Sequence, residues 1–269
     1  MNIDMKDDQL VTAPLKLAVW QGKSPAGDAR EGLDELAPIA RAAGASGAAM
    51  LVCAEIYLPG YNSGDIHETA QLRGGAWHQR LGRIAGESGC GLTVGYAERE
   101  ESRIFNSAVT FNRQGGEIAH YCKIQLYGPR EKEIYTPGDT YCIFDLDGVK
   151  TALLICYDIE FAPHVAALAK QGVELILVPT ANMMPFQHVV RYTVPTMAVN
   201  HSICIAYANF SGHEGNLTYT GGSMILAADG AILAQAGAGP ALIVADLPTA
   251  YDRTALSRQL KDYRAINQG

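Results

Sequence analysis

The sequence predicts an α/β protein of two packed mixed sheets with helices outside, and three observations carry that prediction. Apolar runs of strand length alternate with stretches of helical periodicity, as at residues 15–20, 29–43 and 48–53. Hairpin signals, Asp147-Gly148 and Asp229-Gly230 among them, are inserted between these units, which makes the sheets mixed rather than purely parallel. The strands number about a dozen, more than one open twisted sheet holds comfortably. With 269 residues the chain is long enough to bury such a core.

In chain order, residues 1–14 read as a loose arm and 15–20 as the first strand. Leu33, Leu36, Ile39, Ala40 and Ala43 lie on one helical face closed by Gly44, and Pro38 predicts a kink or a late start. The strand at 48–53 runs into Ala54-Glu55, followed by a Pro/Gly/Asn-rich loop at 58–64 and a helix near 77–88. Residues 91–96 form a strand, and 105–111 with 117–121 a hairpin, with Lys123 just past its end. Residues 125–140 read as a long polar loop without secondary structure. A hairpin of 141–146 and 149–155 then ends on Cys156. Helices at 162–170 and 188–200 alternate with strands at 173–178 and 202–209, and the loop 180–186 lies between them. Residues 223–227 and 231–234 pair, and 241–245 closes the sheet. The span 15–247 therefore reads as one domain, and 248–269 as a charged tail, peripheral or intersubunit.

A formal charge of −7 without a block of basic residues argues against a nucleic-acid partner. No apolar run approaches membrane-spanning length, so no membrane partner is expected. The first residues lack the basic start and apolar middle of a secretion signal, which gives a cytoplasmic expectation. The six cysteines are scattered and read as free thiols. No cysteine pair has zinc-ligand spacing, and the seven histidines form no cluster with them.

Three reactive side chains, Glu55, Lys123 and Cys156, each follow a strand closely. Strand ends are where α/β folds place their chemistry. Singly, each has a plain structural reading: a cysteine as a small apolar residue, a charged group as a solvated loop residue. Together they make a reaction centre. A thiol needs a base to take its proton, which Glu55 supplies, and a cation to stabilise a forming oxyanion, which Lys123 supplies with the backbone N–H of Tyr157. A papain-like enzyme would instead need a partner histidine and usually a glycine beside the nucleophile, whereas Cys156 sits between Ile155 and Tyr157.

The chain resembles the nitrilase superfamily of carbon–nitrogen hydrolases. Leu51-Val-Cys-Ala-Glu-Ile-Tyr-Leu-Pro-Gly-Tyr61 is similar to the family's first block, Tyr121-Cys-Lys-Ile-Gln-Leu126 to its second and Ile155-Cys-Tyr-Asp-Ile-Glu-Phe161 to its third. Pro137-Gly-Asp139 precedes the third block, and Glu131, six positions before that proline, resembles the family's second active-site glutamate, with Glu133 as its competitor. The departures are Ala54 for proline, Cys122 for arginine, Gln125 for histidine and Ala162-Pro163 for Pro-Glu; none removes a reacting group.

The resemblance implies a four-layer α-β-β-α sandwich and subunits paired through the helices near 163–170 and 188–200, in a homodimer or higher homo-oligomer. It implies Cys156 attacking an amide carbon, Glu55 as base, Lys123 as oxyanion partner, Glu131 as a further catalytic carboxylate, and no metal or organic cofactor. The third block and Leu177-Val-Pro-Thr-Ala-Asn-Met183 are most similar to bacterial aliphatic amidases, including those acting on 5-aminopentanamide and related amino amides. Tyr61, Tyr157, Glu160, Asn182, Met183 and Phe186 are the candidate substrate-facing residues, with Met184 beside them. Where relatives acting on N-carbamoyl amino acids use arginine for a carboxylate, the acid at Glu160 suits a neutral or cationic amide. A nitrilase or an N-carbamoyl amidohydrolase would use the same three residues, and a non-catalytic small-molecule binder is the alternative of another class.

Overall fold

The computed structural model describes residues 14–252, 254 and 256–264. Its first half runs β1 (Lys16–Gln21), α1 (Ala29–Ala45), β2 (Met50–Val52), α2 (Ile66–Thr69), β3 (Gln71–Leu72), α3 (Ala76–Ser88), β4 (Gly91–Glu100), β5 (Arg103–Phe111) and β6 (Glu117–Cys122). After α4 (Gly128–Ile134) come β7 (Cys142–Leu146), β8 (Val149–Leu153), a 3-10 turn at Cys156–Glu160, α5 (Ala162–Lys170) and β9 (Leu175–Pro179). A π-helical segment, Val189–Thr193, leads into α6 (Val194–His201). There follow β10 (Cys204–Ala208), the two-residue ribbon β11 (His213–Glu214) and β12 (Leu217–Thr218), β13 (Met224–Leu226), β14 (Ile232–Gln235), β15 (Ala241–Asp246) and α7 (Gln259–Asp262).

The strands form two main sheets, ordered β15-β1-β2-β4-β5-β6 with β3 beside β4, and β14-β13-β10-β9-β8-β7. Side chains alternate across a strand, and that alternation builds the layers. Leu17 and Val19 of β1 and Met50 and Val52 of β2 join an apolar cluster with Leu153, Ile176 and Ile205 of the second sheet. Their neighbours Ala18, Trp20, Leu51 and Cys53 turn the other way, onto Leu33 and Leu36 of α1 and Leu81 and Ile84 of α3. Val165 and Leu168 of α5, with Val194 and Ala198 of α6, cover the outer side of the second sheet. The result is the α-β-β-α sandwich.

The central strands are parallel, β1 to β2 to β4 in one sheet and β8 to β9 to β10 in the other. Two antiparallel steps, β4 to β5 to β6, bring β6 back to the direction of β4. The C-terminal ends of β2 and β6 therefore lie at the same end of their sheet, which brings Glu55 and Lys123 together.

Four expectations are corrected. Pro38 does not delay α1, which spans it from a start where Asp28 accepts hydrogen bonds from the N–H groups of Arg30 and Glu31. Residues 125–140 are not all loop, because α4 starts on Gly128-Pro129. The helix expected over 188–200 begins as a π segment. Pro195 has no N–H to give and its ring crowds the carbonyl four residues back, which the wider turn accommodates. β15 does not close the second sheet but crosses to the first and pairs antiparallel with β1, Lys16 opposite Asp246. Gln21 holds that crossover by donating to the carbonyls of Gly237 and Gly239 at 2.8 and 2.6 Å.

Of the terminal segments, residues 1–13 lie outside the described residues. In the tail, α7 folds back on the same chain, where Gln259 donates to Asn200 at 3.0 Å. Among the described residues no helix is long and apolar enough to cross a membrane.

Candidate active site

Glu55 follows β2 and is wholly buried, as is Lys123, which follows β6. The Lys123 ammonium donates to Glu55 Oε1 at 2.6 Å and to Glu131 Oε1 at 2.8 Å. Asn106 of β5 also donates to Glu55 Oε1, at 2.7 Å, and Glu55 Oε2 accepts no hydrogen bond among the described residues. Glu131 is held in turn by the Tyr61 hydroxyl at 2.6 Å and the Tyr127 N–H at 2.9 Å. Of the two glutamates left open by the sequence, Glu131 is buried against Lys123 and Glu133 is exposed on α4.

Cys156 ends the β8 segment and opens the 3-10 turn with φ at +46°. That left-handed conformation is rare for a residue with a Cβ and marks a strained position. Ile56, next to Glu55, is held likewise at φ +43°. The turn is braced by Asp158, which the sequence reading missed. Its carboxylate accepts from the Ile155 N–H at 3.0 Å, the Gln125 N–H at 2.7 Å and the Tyr121 hydroxyl at 2.8 Å. One buried acid thus ties the cysteine turn to the Lys123 segment, and its only sequence signal was a charge beside an apolar strand.

Burial pushes the Cys156 thiol well up, and Glu55 adds to the rise while Lys123 opposes it. Burial likewise raises Glu55, against the lowering effect of Lys123. Burial alone would lower Lys123, but Glu131 and Glu55 outweigh it and hold the ammonium charged. The site thus rests as a thiol beside a charged ammonium that two buried carboxyl groups hold.

A cavity of about 200 Å³ opens on the cysteine, lined by Tyr61, Tyr157, Glu160, Asn182, Met183 and Phe186 among others. All six substrate-facing candidates therefore meet there, together with Tyr127, Ala181 and His188, which the sequence did not single out. Met184 instead stands exposed, 45 % accessible. Asn182 is partly committed to structure, since its amide donates to the Phe186 carbonyl at 3.1 Å and the Thr220 hydroxyl at 3.2 Å. Glu160 forms no ion pair within 4 Å among the described residues. A larger cavity of about 620 Å³ lies among the opposite strand ends, near Lys16, Glu174 and Cys204, away from these reactive groups.

The carbon-nitrogen hydrolase family model matches residues 16–255, all but the ends of the chain. The chain belongs to the carbon–nitrogen hydrolase family. It is a hydrolase of C–N bonds in the nitrilase superfamily. It is 38% identical over 226 residues to a "Hydrolase in pqqF 5'region" of Pseudomonas protegens, covering 82% of this chain and 79% of that protein. It is 31% identical to an (R)-stereoselective amidase of a Pseudomonas species, covering 80% and 77%. Among solved structures it is similar to a variant of the amidase from Nesterenkonia sp. AN1 that shows Michael addition of acrylamide at the active site cysteine. The TM-score is 0.84 at 32% identity, over 93% of this chain and 96% of that one.

Proposed function

We propose that this hydrolase is a cysteine amidase that converts small aliphatic or amino-substituted primary amides to the carboxylic acid and ammonia. The observation that supports it most is the unengaged Oε2 of Glu55. Its other oxygen is held by Lys123 and Asn106, so Oε2 is kept for the thiol proton. In the proposed route Cys156 Sγ attacks the amide carbon as Glu55 takes its proton. Lys123 and the Tyr157 N–H, among the first N–H groups of the 3-10 turn, stabilise the oxyanion. Glu55 returns the proton to the leaving nitrogen, ammonia departs, and a thioester is left on Cys156. Water activated by Glu55, with Glu131 beside it, then releases the acid.

The cavity of about 200 Å³ suits a short acyl chain, since pockets for drug-sized ligands run to roughly 300–1,000 Å³. Glu160 and the rings of Tyr127, Tyr157 and Phe186 give that cavity one acid among aromatic faces, the chemistry that holds an ammonium group. This favours an amino-substituted acyl chain. Pairing of two copies fits the α5–α6 face, where Tyr192 is 67% and Val199 38% exposed.

The test is ammonia release from a panel of aliphatic amides, ω-amino amides, carbamoyl amino acids and nitriles, with Cys156→Ala alongside. Release from amides, abolished in the variant, is the expected result; release from nitriles or carbamoyl compounds alone overturns the amidase assignment. Glu160→Gln is expected to lower kcat/KM for ω-amino amides at least tenfold relative to plain amides. An unchanged ratio with active enzyme removes the ammonium role of Glu160 and leaves the amidase standing. Light scattering of the purified chain checks the pairing, and a monomer mass overturns it.

A further inference from the structure

Read from the sequence, the histidines form no cluster with the cysteines, but that reading passes over His120-Tyr121-Cys122, and the sheet brings a carboxylate to that pair. His120 and Cys122 are two apart on β6 and share one face of the strand. Ser107 lies directly opposite Cys122 on β5, and Tyr96 directly opposite Ser107 on β4, which places Glu98 on the same face. The carboxylate oxygen of Glu98, a ring nitrogen of His120 and the sulfur of Cys122 all lie within 4.8 Å of one another. Lys123, just past β6, and Asn106, just before Ser107 on β5, turn to the other face, where they meet Glu55.

This polar group is unusual for a buried sheet face. Glu98 is 5% exposed, Ser107 fully buried and Tyr96 1% exposed. Glu98 Oε2 contacts His120 Nε2 at 2.5 Å, and the Ser107 hydroxyl lies 3.5 Å from the Cys122 sulfur. The Tyr96 hydroxyl lies beside Glu98 without completing a hydrogen bond of good geometry. Buried polar atoms left unpaired are destabilising and call for an explanation. A cavity of about 320 Å³, lined by His120, Cys122 and Cys142, gives solvent a way in.

We propose that Glu98, His120 and Cys122 form a binding site for a divalent metal ion of the zinc class, on the sheet face opposite the catalytic groups. One thiolate, one imidazole and one carboxylate are the donor set such an ion takes, at about 2.0–2.3 Å each. Bond lengths of that size bring ligand atoms to intermediate separations, so the Glu98–His120 contact opens and the thiol closes in. The fourth position falls to water from the cavity. Binding exchanges the Cys122 S–H bond for an S–metal bond and releases the proton. The carboxylate and thiolate together balance the ion's two charges. The metal takes no part in amide cleavage; it clamps the end of β6, from which the chain passes directly to Lys123.

The test uses the full chain carrying Cys156→Ser, so that the catalytic thiol cannot report. Cobalt(II) titration is expected to raise a thiolate-to-cobalt charge-transfer absorption that saturates at one equivalent and is displaced by zinc(II). Zinc is expected to raise the melting temperature of the same protein. Adding Cys122→Ser should abolish the absorption and the shift, and His120→Gln should weaken binding at least tenfold. Absence of the band in the Cys156→Ser chain overturns the proposal whether or not the further variants fold. So does a band that survives Cys122→Ser, which would place the thiolate elsewhere.

Discussion

Asn106 donates to Oε1 of Glu55 at 2.7 Å, and it does so from the strand position just before Ser107, on the catalytic face of β5. Lys123 takes the same oxygen at 2.6 Å. Both donors take one oxygen and leave the other without a partner among the described residues, the oxygen to which the proposed route gives the thiol proton.

Asn106→Ala is therefore expected to lower kcat by about 10²-fold, the cost of letting a reacting group drift by an ångström, with a small change in KM. A hydrogen bond to the ionised form also favours that form, so its loss raises Glu55 further. The acid limb of the rate profile should move to higher pH in the variant. A lowered rate with an unmoved limb would mean that Asn106 serves packing alone.

The native profile carries a related expectation. The proposed route needs ionised Glu55, and burial raises that carboxyl from its ordinary 4.5 despite Lys123. Activity should fall with acid at a pH above that value. The Cys156 thiol, raised well above 9.0 chiefly by burial, should keep its proton through neutrality. The check is kcat/KM against pH under constant ionic strength, and an acid limb below pH 4.5 contradicts the assignment of Glu55 as base.

The strand ends that carry Glu55, Lys123 and Cys156 were legible in the sequence because buried strands are continuous apolar runs, so a Glu, Lys or Cys just past one stands out. Helix α4 was not legible for the converse reason. Its inward residue is Glu131, held by a lysine and a tyrosine, so the segment shows no apolar stripe. The crossing of β15 between sheets depends on Gln21, 216 residues distant from its acceptor at Gly237, which no local pattern encodes. The Glu98–His120–Cys122 cluster was hidden in the same way, since it is assembled by register across three strands.

Lys123→Met tests the ion cluster as structure. Removing the shared ammonium leaves Glu55 and Glu131 buried without a cation, and breaking such a pair costs about 3–5 kcal/mol. Without the cation that opposes its burial, Glu55 is raised further above its unfolded value, so the folded variant binds more protons there. Its stability then falls as pH rises through that window, and the deficit against the parent is smaller below the ordinary carboxylate range. Urea unfolding at acid and neutral pH checks this, and an equal deficit at both pH values refutes it.

The backbone of Cys156 gives the last expectation. At φ +46° a Cβ is held where L-residues are strained by about 1–3 kcal/mol. Glycine elsewhere is less stable than alanine by roughly 0.5–1 kcal/mol through its chain entropy. Here the order should reverse, because glycine enters the left-handed region freely and alanine keeps the Cβ. Cys156→Gly and Cys156→Ala both lack the nucleophile and should both be inactive, which separates stability from turnover. Urea unfolding should then find Cys156→Gly the more stable by about 1 kcal/mol. A more stable Cys156→Ala would show that the turn relaxes once the sulfur is gone, and that the strain belongs to the thiol's contacts rather than to the backbone.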